Sequence, residues 1–228
     1  MIKQTLTTTD YFLIIVNLVP LYGVWFSGWD AGQVFLVYCL ESVIVGLFQL
    51  LKLWILTLTK KKDTWNTGTP NETKVSGYLF VFFFMVHYGL FIFIQLFFFL
   101  EISAIQKAIG ADGNVGVLQF LLHFPQYMQQ SSLWLLLLFT ASYALITLKD
   151  FILTGAYKTA DMNYIMFQPY MRIFVQQFTV ILGSLFLGLG AGKIFMIVFI
   201  AAKIFFEVLI PYDKIIENAA KGKLNKYD

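Results

Sequence analysis

The sequence predicts an all-α membrane protein, a polytopic bundle of six transmembrane helices with both termini in the cytoplasm. Hydrophobic residues make up 59% of the 228 residues and charged residues only 13%, whereas about a quarter of a soluble domain is charged. The mean hydropathy is +0.74. Apolar runs occupy most of the chain and leave no room for a separate soluble domain. We therefore expect one membrane domain over residues 1–228.

Six apolar runs reach the length of roughly 20 residues that a helix needs to cross a bilayer. The first follows Lys3 and a polar run and has no small-residue cleavage site after it, so we interpret it as an uncleaved span. Gly28 lies in SGWD, a turn sequence that closes the first helical hairpin. The predicted spans are residues 11–28, 32–56, 76–100, 131–149, 168–189 and 192–210.

The lysines are distributed unevenly between the two sides of this bundle. One side carries Lys107 and Lys193 only, and the other side carries eleven lysines. Because basic residues accumulate on the cytoplasmic side, the termini and the loop 60–75 are predicted to be cytoplasmic. The eleven are Lys3, Lys60, Lys61, Lys62, Lys74, Lys149, Lys158, Lys214, Lys221, Lys223 and Lys226.

Two segments between spans are long enough to have a structure of their own. The loop 60–75 is polar, rich in turn formers and without apolar periodicity, which predicts a mobile cytoplasmic linker. The external segment 101–130 has apolar residues at helical spacing on both sides of a glycine-containing break, which predicts two short amphipathic pieces. These pieces either cap an external cavity or simply pack at the membrane interface.

Ionisable side chains inside the spans are the main candidates for function, because a charge in a bilayer core costs several kcal/mol and usually faces the bundle interior. Glu41, His87 and Lys203 each lie about ten residues from one end of their span, near the bilayer midplane. Arg172 and Glu207 lie nearer the cytoplasmic side. These five residues are the first part of the candidate site.

Polar residues near them share helix faces. Tyr38 precedes Glu41 by one turn on the second span, and Gln95 follows His87 by two turns on the third. We expect the polar stripe of the second span to face other helices. Its members are Tyr38, Glu41, Ser42, Val45, Gln49 and Lys52.

The charges allow a chain of ion pairs. Glu41 is expected to meet Lys203 or His87 at the midplane, with Glu207 bridging Lys203 and Arg172 below it. Arg172 is the single arginine of the chain and suits a carboxylate or a phosphate headgroup, or else reaches toward the interface. The network is either a functional site or a structural device that fixes helix register.

Signatures of enzymes are mostly missing from the sequence. It contains no HExxH, no CxxC pair, no GxSxG elbow and no Walker loop, and Cys39 is the single cysteine. This favours a protein that is not an enzyme without excluding one, and it leaves any cofactor unknown. No metal site is predicted.

Several stretches resemble an uncharacterised family of bacterial and archaeal polytopic membrane proteins, a domain of unknown function. They are NLVPLYGVWFSGWD, YCLESVIVGLFQLLK, HYG, PYMRI and AAKIFFE, which together span nearly the whole chain. The resemblance implies a multi-pass protein of the bacterial inner membrane and marks the five ionisable residues. In the family that the chain resembles, histidines often stand at the positions of Gln95, Tyr143 and Gln177, so the resemblance makes a metal or haem role less credible in this member.

Three functions follow as hypotheses. In the first, the midplane polar cluster binds or translocates a small solute, a lipid or a proton. In the second, the protein is an accessory or scaffold subunit of a membrane complex. In the third, it is a membrane-embedded lipid-modifying enzyme with Glu41 or His87 as general base. The expected partners are the lipid bilayer, other membrane proteins or further copies of the chain, and not nucleic acid.

Overall fold

A computed structural model gives the fold. It describes residues 6–65, 73–101, 105–106, 109–110, 115–170, 173–174, 177, 182, 186 and 189–209. Within these ranges the chain is mostly helical, and α2 packs against both α3 and α5 while α1 packs against α7. The α-helices are α1 Thr8–Phe26, α2 Ala31–Lys60, α3 Gly77–Leu100, α4 Val117–His123, α5 Gln130–Thr147, α6 Met162–Phe167 and α7 Gly192–Ile204. Helical turns of other types are the 3-10 segments Phe124–Tyr127 and Ala156–Lys158 and the π-helical segments Leu148–Leu153 and Phe205–Leu209.

Four helices in the described part of the chain are long and apolar enough to cross a membrane. They are Thr8–Phe26, Ala31–Lys60, Gly77–Leu100 and Gln130–Leu153, and they coincide with the first four predicted spans. A helical bundle is thus confirmed. The fifth predicted span, 168–189, lies mostly outside the described residues, and α7 with its π-helical extension covers residues 192–209 of the sixth. Six spans and cytoplasmic termini stay predictions.

The start of the bundle is fixed by local chemistry. Thr7 and Asp10 form a capping box at the N-terminus of α1, in which each side chain accepts from the other's backbone N–H. Gly28 has a φ of 69°, the left-handed conformation that the turn between α1 and α2 requires. Trp29 packs directly on Gly23, where any Cβ would lie 2.2 Å from the indole ring. Together these contacts hold α1 and α2 in a tight hairpin.

The loop 60–75 contains structure that the sequence pattern does not indicate. Strands β1, Lys62–Trp65, and β2, Thr73–Ser76, pair antiparallel with Lys62 opposite Ser76. The indole of Trp65 lies 4.9 Å and 5.4 Å, centroid to centroid, from the rings of Phe80 and Phe83 on α3. A two-stranded hairpin is marginal alone, so these contacts with a neighbouring helix stabilise the two strands, which lie in a segment that sequence periodicity suggests is a linker.

Lysines from two parts of the chain, Lys60 and Lys149, lie at one end of the bundle, which we term the lysine-rich end. The Lys60 ammonium at the end of α2 donates to the Ala160 carbonyl at 2.8 Å. The Lys149 ammonium after α5 lies 3.5 Å from the hydroxyl of Thr9 at the start of α1. The start of α1 and the ends of α2 and α5 are therefore on the same side, as the alternation of the spans predicts.

The opposite end is covered by the segment between α3 and α5. The apolar residues Ile105, Ile109, Val117 and Phe120, which the sequence places on its amphipathic pieces, are all buried against the helices. The side-chain amide of Gln33, in the first turn of α2, donates to the Tyr127 carbonyl and accepts from the Gln129 N–H, at 3.0 Å and 3.1 Å. This cap therefore packs firmly on the bundle.

The buried apolar residues that the structure describes form two cores, one toward each end. The capped core includes Phe35 and Leu40 of α2 together with Leu96 and Phe99 of α3. The hairpin core, next to the β-hairpin, includes Leu53 of α2. Its other buried members are Leu56, Phe80, Phe84, Tyr88, Phe151, Met162, Ile165, Met166 and Ile173. Helix α2 runs through both cores, and the candidate site lies between them.

Candidate functional site

A polar layer separates the two apolar cores along α2. Between Leu40 and Leu53 the buried residues of this helix are Glu41, Ser42, Val45, Gly46 and Gln49, and these five residues define the layer. The polar stripe that the sequence predicts on this helix has six members. Lys52 is only half-buried, and the other five, which include Tyr38, are buried. The prediction that this stripe faces other helices is confirmed for its first five members.

Glu41 and Lys203 form an ion pair in this layer. The Lys203 ammonium contacts Oε2 of Glu41, and the hydroxyl of Tyr143 donates to Oε1 at 2.7 Å. The two charged residues are only 1% and 5% exposed. Three helices, α2, α5 and α7, therefore meet on a single carboxylate. The sequence suggests Lys203 or His87 as the partner of Glu41, and in the structure the partner is Lys203.

Aromatic rings enclose the ammonium on the sides that the carboxylate leaves open. The Lys203 Nζ lies 4.3 Å from the ring centroid of Tyr38 and 4.8 Å from that of Phe139. Phe199, one turn before Lys203, meets the Tyr38 ring edge to face at 4.5 Å. A desolvated cation over aromatic faces gains about 2 kcal/mol. The enclosure thus stabilises a cation at this place in addition to the carboxylate.

His87 lies apart from this pair. Its Nδ1 is 2.8 Å from the Tyr170 hydroxyl, with Phe83 stacked on the imidazole ring and Phe91 edge-on to it. The half-buried imidazole is therefore held beside the hairpin core. The structure does not bring the imidazole together with Glu41, although the sequence suggests His87 as one of two partners for that carboxylate.

Gln95 is buried on α3, in the interface with α2. Its side chain lies beside the thiol of Cys39, and it is 2% exposed. Within the described part of the chain, neither its amide N nor its amide O makes a regular hydrogen bond. The predicted site residue Gln95 therefore borders the polar layer on the α3 side, while Tyr143 and Lys203 border it on the α5 and α7 side.

Two predicted site residues cannot be placed by their side chains. Arg172 lies outside the described residues, and only the backbone of Glu207 is described, in the π-helical segment Phe205–Leu209. The bridge from Lys203 through Glu207 to Arg172 stays a prediction.

Sequence reasoning missed the contributions of Tyr143 and Phe139 to the ion pair. Both are on α5, spaced four residues apart and therefore on one face. Because a buried hydroxyl requires a hydrogen-bond partner, a tyrosine in the middle of an otherwise apolar span is a signal, although a weak one, that a polar group lies opposite it. The amide of Gln49 was included in the polar stripe, but its partners, the Ile165 carbonyl and the Gln168 side chain, follow only from the fold.

A second polar cluster lies outside the spans, where the β-hairpin meets α6. The Asp63 carboxylate accepts from the Lys60 ammonium at 2.8 Å, the Met162 N–H at 3.0 Å and the Thr64 N–H at 2.9 Å. Burial raises the pKa of Asp63, but these hydrogen bonds and the charge of Lys60 outweigh it and hold the pKa below its usual 3.8. Asn163 also donates to the Thr64 carbonyl. Asp63 therefore fastens the hairpin to α6.

Metal ligands do not cluster in the described ranges. There, no three His, Cys, Asp or Glu side chains come close enough together to hold an ion. The buried carboxylate that could ligate one, Glu41, is engaged by Lys203 and Tyr143.

Comparison with known proteins gives one match. A family model described as a family of unknown function, DUF6498, matches residues 2–223, nearly the whole chain. A search of curated proteins and a search of solved structures each return no significant match. The resemblance to a domain of unknown function is thereby confirmed, while a bacterial or archaeal source stays a prediction.

Proposed function

The chain belongs to the family of unknown function DUF6498, and from that premise we propose that it binds a proton at Glu41 and couples this to a small solute. The observation that carries the proposal is the buried ion pair of Glu41 and Lys203 at the meeting point of three helices. Charges at such a depth are costly and are typical of proton and solute pathways.

The hydrogen bond from Tyr143 fits both protonation states of Glu41. A tyrosine hydroxyl donates to a carboxylate, as it does here at 2.7 Å, and it accepts from a protonated carboxyl group after a small rotation. Proton binding at Glu41 therefore does not leave this contact unsatisfied. Tyr143 keeps the side chain of Glu41 in place while its charge changes.

Lys203 supplies the link between the proton and a solute. When Glu41 is neutral, the ammonium loses its counter-charge but stays beside the rings of Tyr38 and Phe139. A buried cation whose counter-charge has been neutralised attracts an anion strongly, because the surroundings are apolar. A small anionic solute or a lipid headgroup would then replace the carboxylate at Lys203.

His87 is proposed as a second titrating group, between the ion pair and the lysine-rich end. Its hydrogen bond to Tyr170 gives the imidazole one polar partner, and its two ring nitrogens allow it to take up a proton on one side and release one on the other. Arg172 and Glu207 complete the proposal as a gate on the same side. The lysines at this end support a cytoplasmic location for it, and hence a multi-pass protein of the inner membrane.

The test compares Glu41→Gln with Glu101→Gln, the same change at an exposed glutamate at the end of α3. Infrared difference spectra of the protein in lipid, between acid and alkaline buffer, are expected to lose the carboxylic acid band of Glu41 in the first variant only. Proton uptake into liposomes containing a pH-sensitive dye is expected to fall in the same variant. A folded Glu41→Gln protein with unchanged spectra and uptake would contradict the proposal.

A scaffold subunit is the second candidate, and one observation favours it. Both oxygens of Glu41 are bonded and Lys203 is enclosed, which is the mutual satisfaction that a purely structural buried pair needs. The phenylalanines exposed on α3 would then meet other membrane proteins or further copies of the chain. Purification in mild detergent would recover stoichiometric partners in this case, and a solitary protein would count against it.

A further inference from the structure

We infer that the interface between α2 and α3 holds bound water on Ser42 and Gln95, and that this hydrated seam is the route by which protons reach the polar layer. The inference rests on the proposed function, since it names the access route to the same site. The seam is the strip of this interface from Ser42 to Gln95.

Contacts on both sides fix which residues face each other across the seam. The side chain of Gln95 lies beside Cys39, and the hydroxyl of Tyr88 donates to the Ser42 carbonyl at 3.0 Å. Gly46 packs against Tyr88, where an added Cβ would lie 2.5 Å from the ring. Because Cys39, Ser42 and Gly46 follow each other at helical spacing, Ser42 faces α3 between the Gln95 contact and the Tyr88 contact.

Two polar side chains in this strip have hydrogen-bonding capacity that the described residues do not fill. Among the described residues, the hydroxyl of Ser42 and both amide atoms of Gln95 make no regular hydrogen bond, and each side chain is 2% exposed. Buried polar atoms in native proteins nearly always have a partner, often an ordered water. Two such groups within about one helical turn of each other point to a ligand between them.

The chemistry of these groups indicates water. A hydroxyl both donates and accepts, and a primary amide presents two donors and one acceptor oxygen, all of them neutral. A neutral set with both functions matches a water molecule, which makes about three hydrogen bonds when buried. It offers no charge to hold an ion.

The position of the seam makes it a route for protons. Ser42 is the residue after Glu41, so the seam and the ion pair lie on neighbouring faces of the same turn of α2. Toward the cap, Gln106 donates to the Leu100 carbonyl at the end of α3, and its own amide oxygen is buried without a regular hydrogen bond in the described structure. A further polar atom without a regular hydrogen bond among the described residues therefore lies at the capped end, separated from Gln95 by Leu96 and Phe99 of the capped core.

Cys39 is a built-in reporter, because it is the single cysteine of the chain and lies beside Gln95. Its S–H stretch can be followed by infrared spectroscopy after transfer of the protein in lipid to D2O. We expect exchange within minutes in the native protein, and exchange at least tenfold slower in Gln95→Met, which keeps the side-chain length and removes the polar atoms. Cys39→Ser identifies the band, and Gln119→Met, the same change on the exposed face of α4, is expected to exchange like the native protein.

A second variant covers the case in which Gln95→Met does not fold. Ser42→Ala removes one oxygen from the opposite wall of the seam and is expected to slow S–H exchange about threefold or more. Either variant should also slow the appearance of the Glu41 infrared band after a pH jump. Exchange that is equally fast, or equally absent, in native protein and variants would overturn the inference.

The outcomes separate this inference from the proposed function. If Glu41→Gln loses the carboxylic acid band while exchange at Cys39 does not depend on Gln95 or Ser42, the seam is wrong and proton binding at Glu41 stands. If the seam is hydrated but the band persists in Glu41→Gln, proton binding at Glu41 is wrong. If a variant slows S–H exchange at Cys39 but Glu41 is still protonated at the native rate, the seam is not the route by which protons reach the polar layer.

Discussion

Removing Lys203 is expected to be the most damaging single change in the polar layer, and removing Glu41 as well is expected to repair part of the damage. In Lys203→Met the side chain keeps its length but Glu41 loses its counter-charge. The carboxylate keeps its hydrogen bond from the hydroxyl of Tyr143, but it has lost the ammonium in a site that is 1% exposed. Breaking a buried ion pair in this way costs about 3–5 kcal/mol of unfolding free energy.

The reverse change is expected to cost less. In Glu41→Gln the amide oxygen can accept from Lys203 while the amide NH2 donates to the hydroxyl oxygen of Tyr143. The ammonium keeps the rings of Tyr38 and Phe139 at 4.3 Å and 4.8 Å. These ring contacts are worth about 2 kcal/mol for a desolvated cation. We therefore expect a loss of about 1–3 kcal/mol, using the range for a weakened hydrogen bond to a charged group.

The double variant, Glu41→Gln with Lys203→Met, has no buried charge at this place. We expect it to be more stable than Lys203→Met alone, with a coupling energy of about 2–3 kcal/mol between the two sites. The assay is reversible unfolding in lipid bicelles, with all four proteins of the cycle measured under one condition. If the loss in the double variant equals the sum of the two single losses, the pair is not energetically coupled and the reasoning fails.

Three further predictions concern other contacts. Gly46→Ala is expected to lower the unfolding free energy by about 1–3 kcal/mol, because its Cβ would lie 2.5 Å from the Tyr88 ring. The control Gly89→Ala, where nothing lies within 4 Å, is expected to be neutral or stabilising. Similar losses of stability in the two variants would contradict this packing. Asp63→Asn is expected to cost about 1–3 kcal/mol at neutral pH. Since the pKa of Asp63 is lowered in the folded protein, the stability that its carboxylate contributes is fully present above the ordinary pKa of 3.8 and is lost as the pH falls through the folded pKa. If the native protein and Asp63→Asn still differ in unfolding free energy at the acid end, this reasoning is refuted. His87→Phe and Tyr170→Phe are each expected to lower the unfolding free energy by about 1 kcal/mol. The double variant is expected to lose no more stability than either single variant. Additive losses would show that the 2.8 Å contact between the two side chains does not contribute to stability.

Hydropathy was sufficient to predict the long helices, because a span is a property of about 20 consecutive residues. The pairing of Glu41 with one of two partners also followed from the sequence, since an acid and an amine at a common depth have few alternatives in an apolar bundle. The choice between Lys203 and His87 did not follow. Periodicity gives the face of a helix on which a residue lies, but not the rotation of that helix relative to its neighbours.

The β-hairpin was missed for a related reason. Its strands are short and polar, and it is ordered by contacts with residues about a hundred positions away, such as that between Asp63 and Met162. No local pattern contains such a contact. The same holds for Tyr170, which binds His87 across 83 positions of sequence.

The division of the buried side chains into a capped core and a hairpin core affects how this bundle can deform. Each core is a stiff block of interlocked apolar groups, whereas the layer between them on α2 is held by directional bonds from Glu41 and Gln49. Interlocked apolar side chains resist displacement throughout a core, because many of them would have to move together. The few side-chain hydrogen bonds of the polar layer can be exchanged one at a time. Because α2 is one continuous helix through both blocks, we expect changes in the polar layer to take the form of exchanged side-chain bonds, with the backbone of α2 and the packing of each core unchanged.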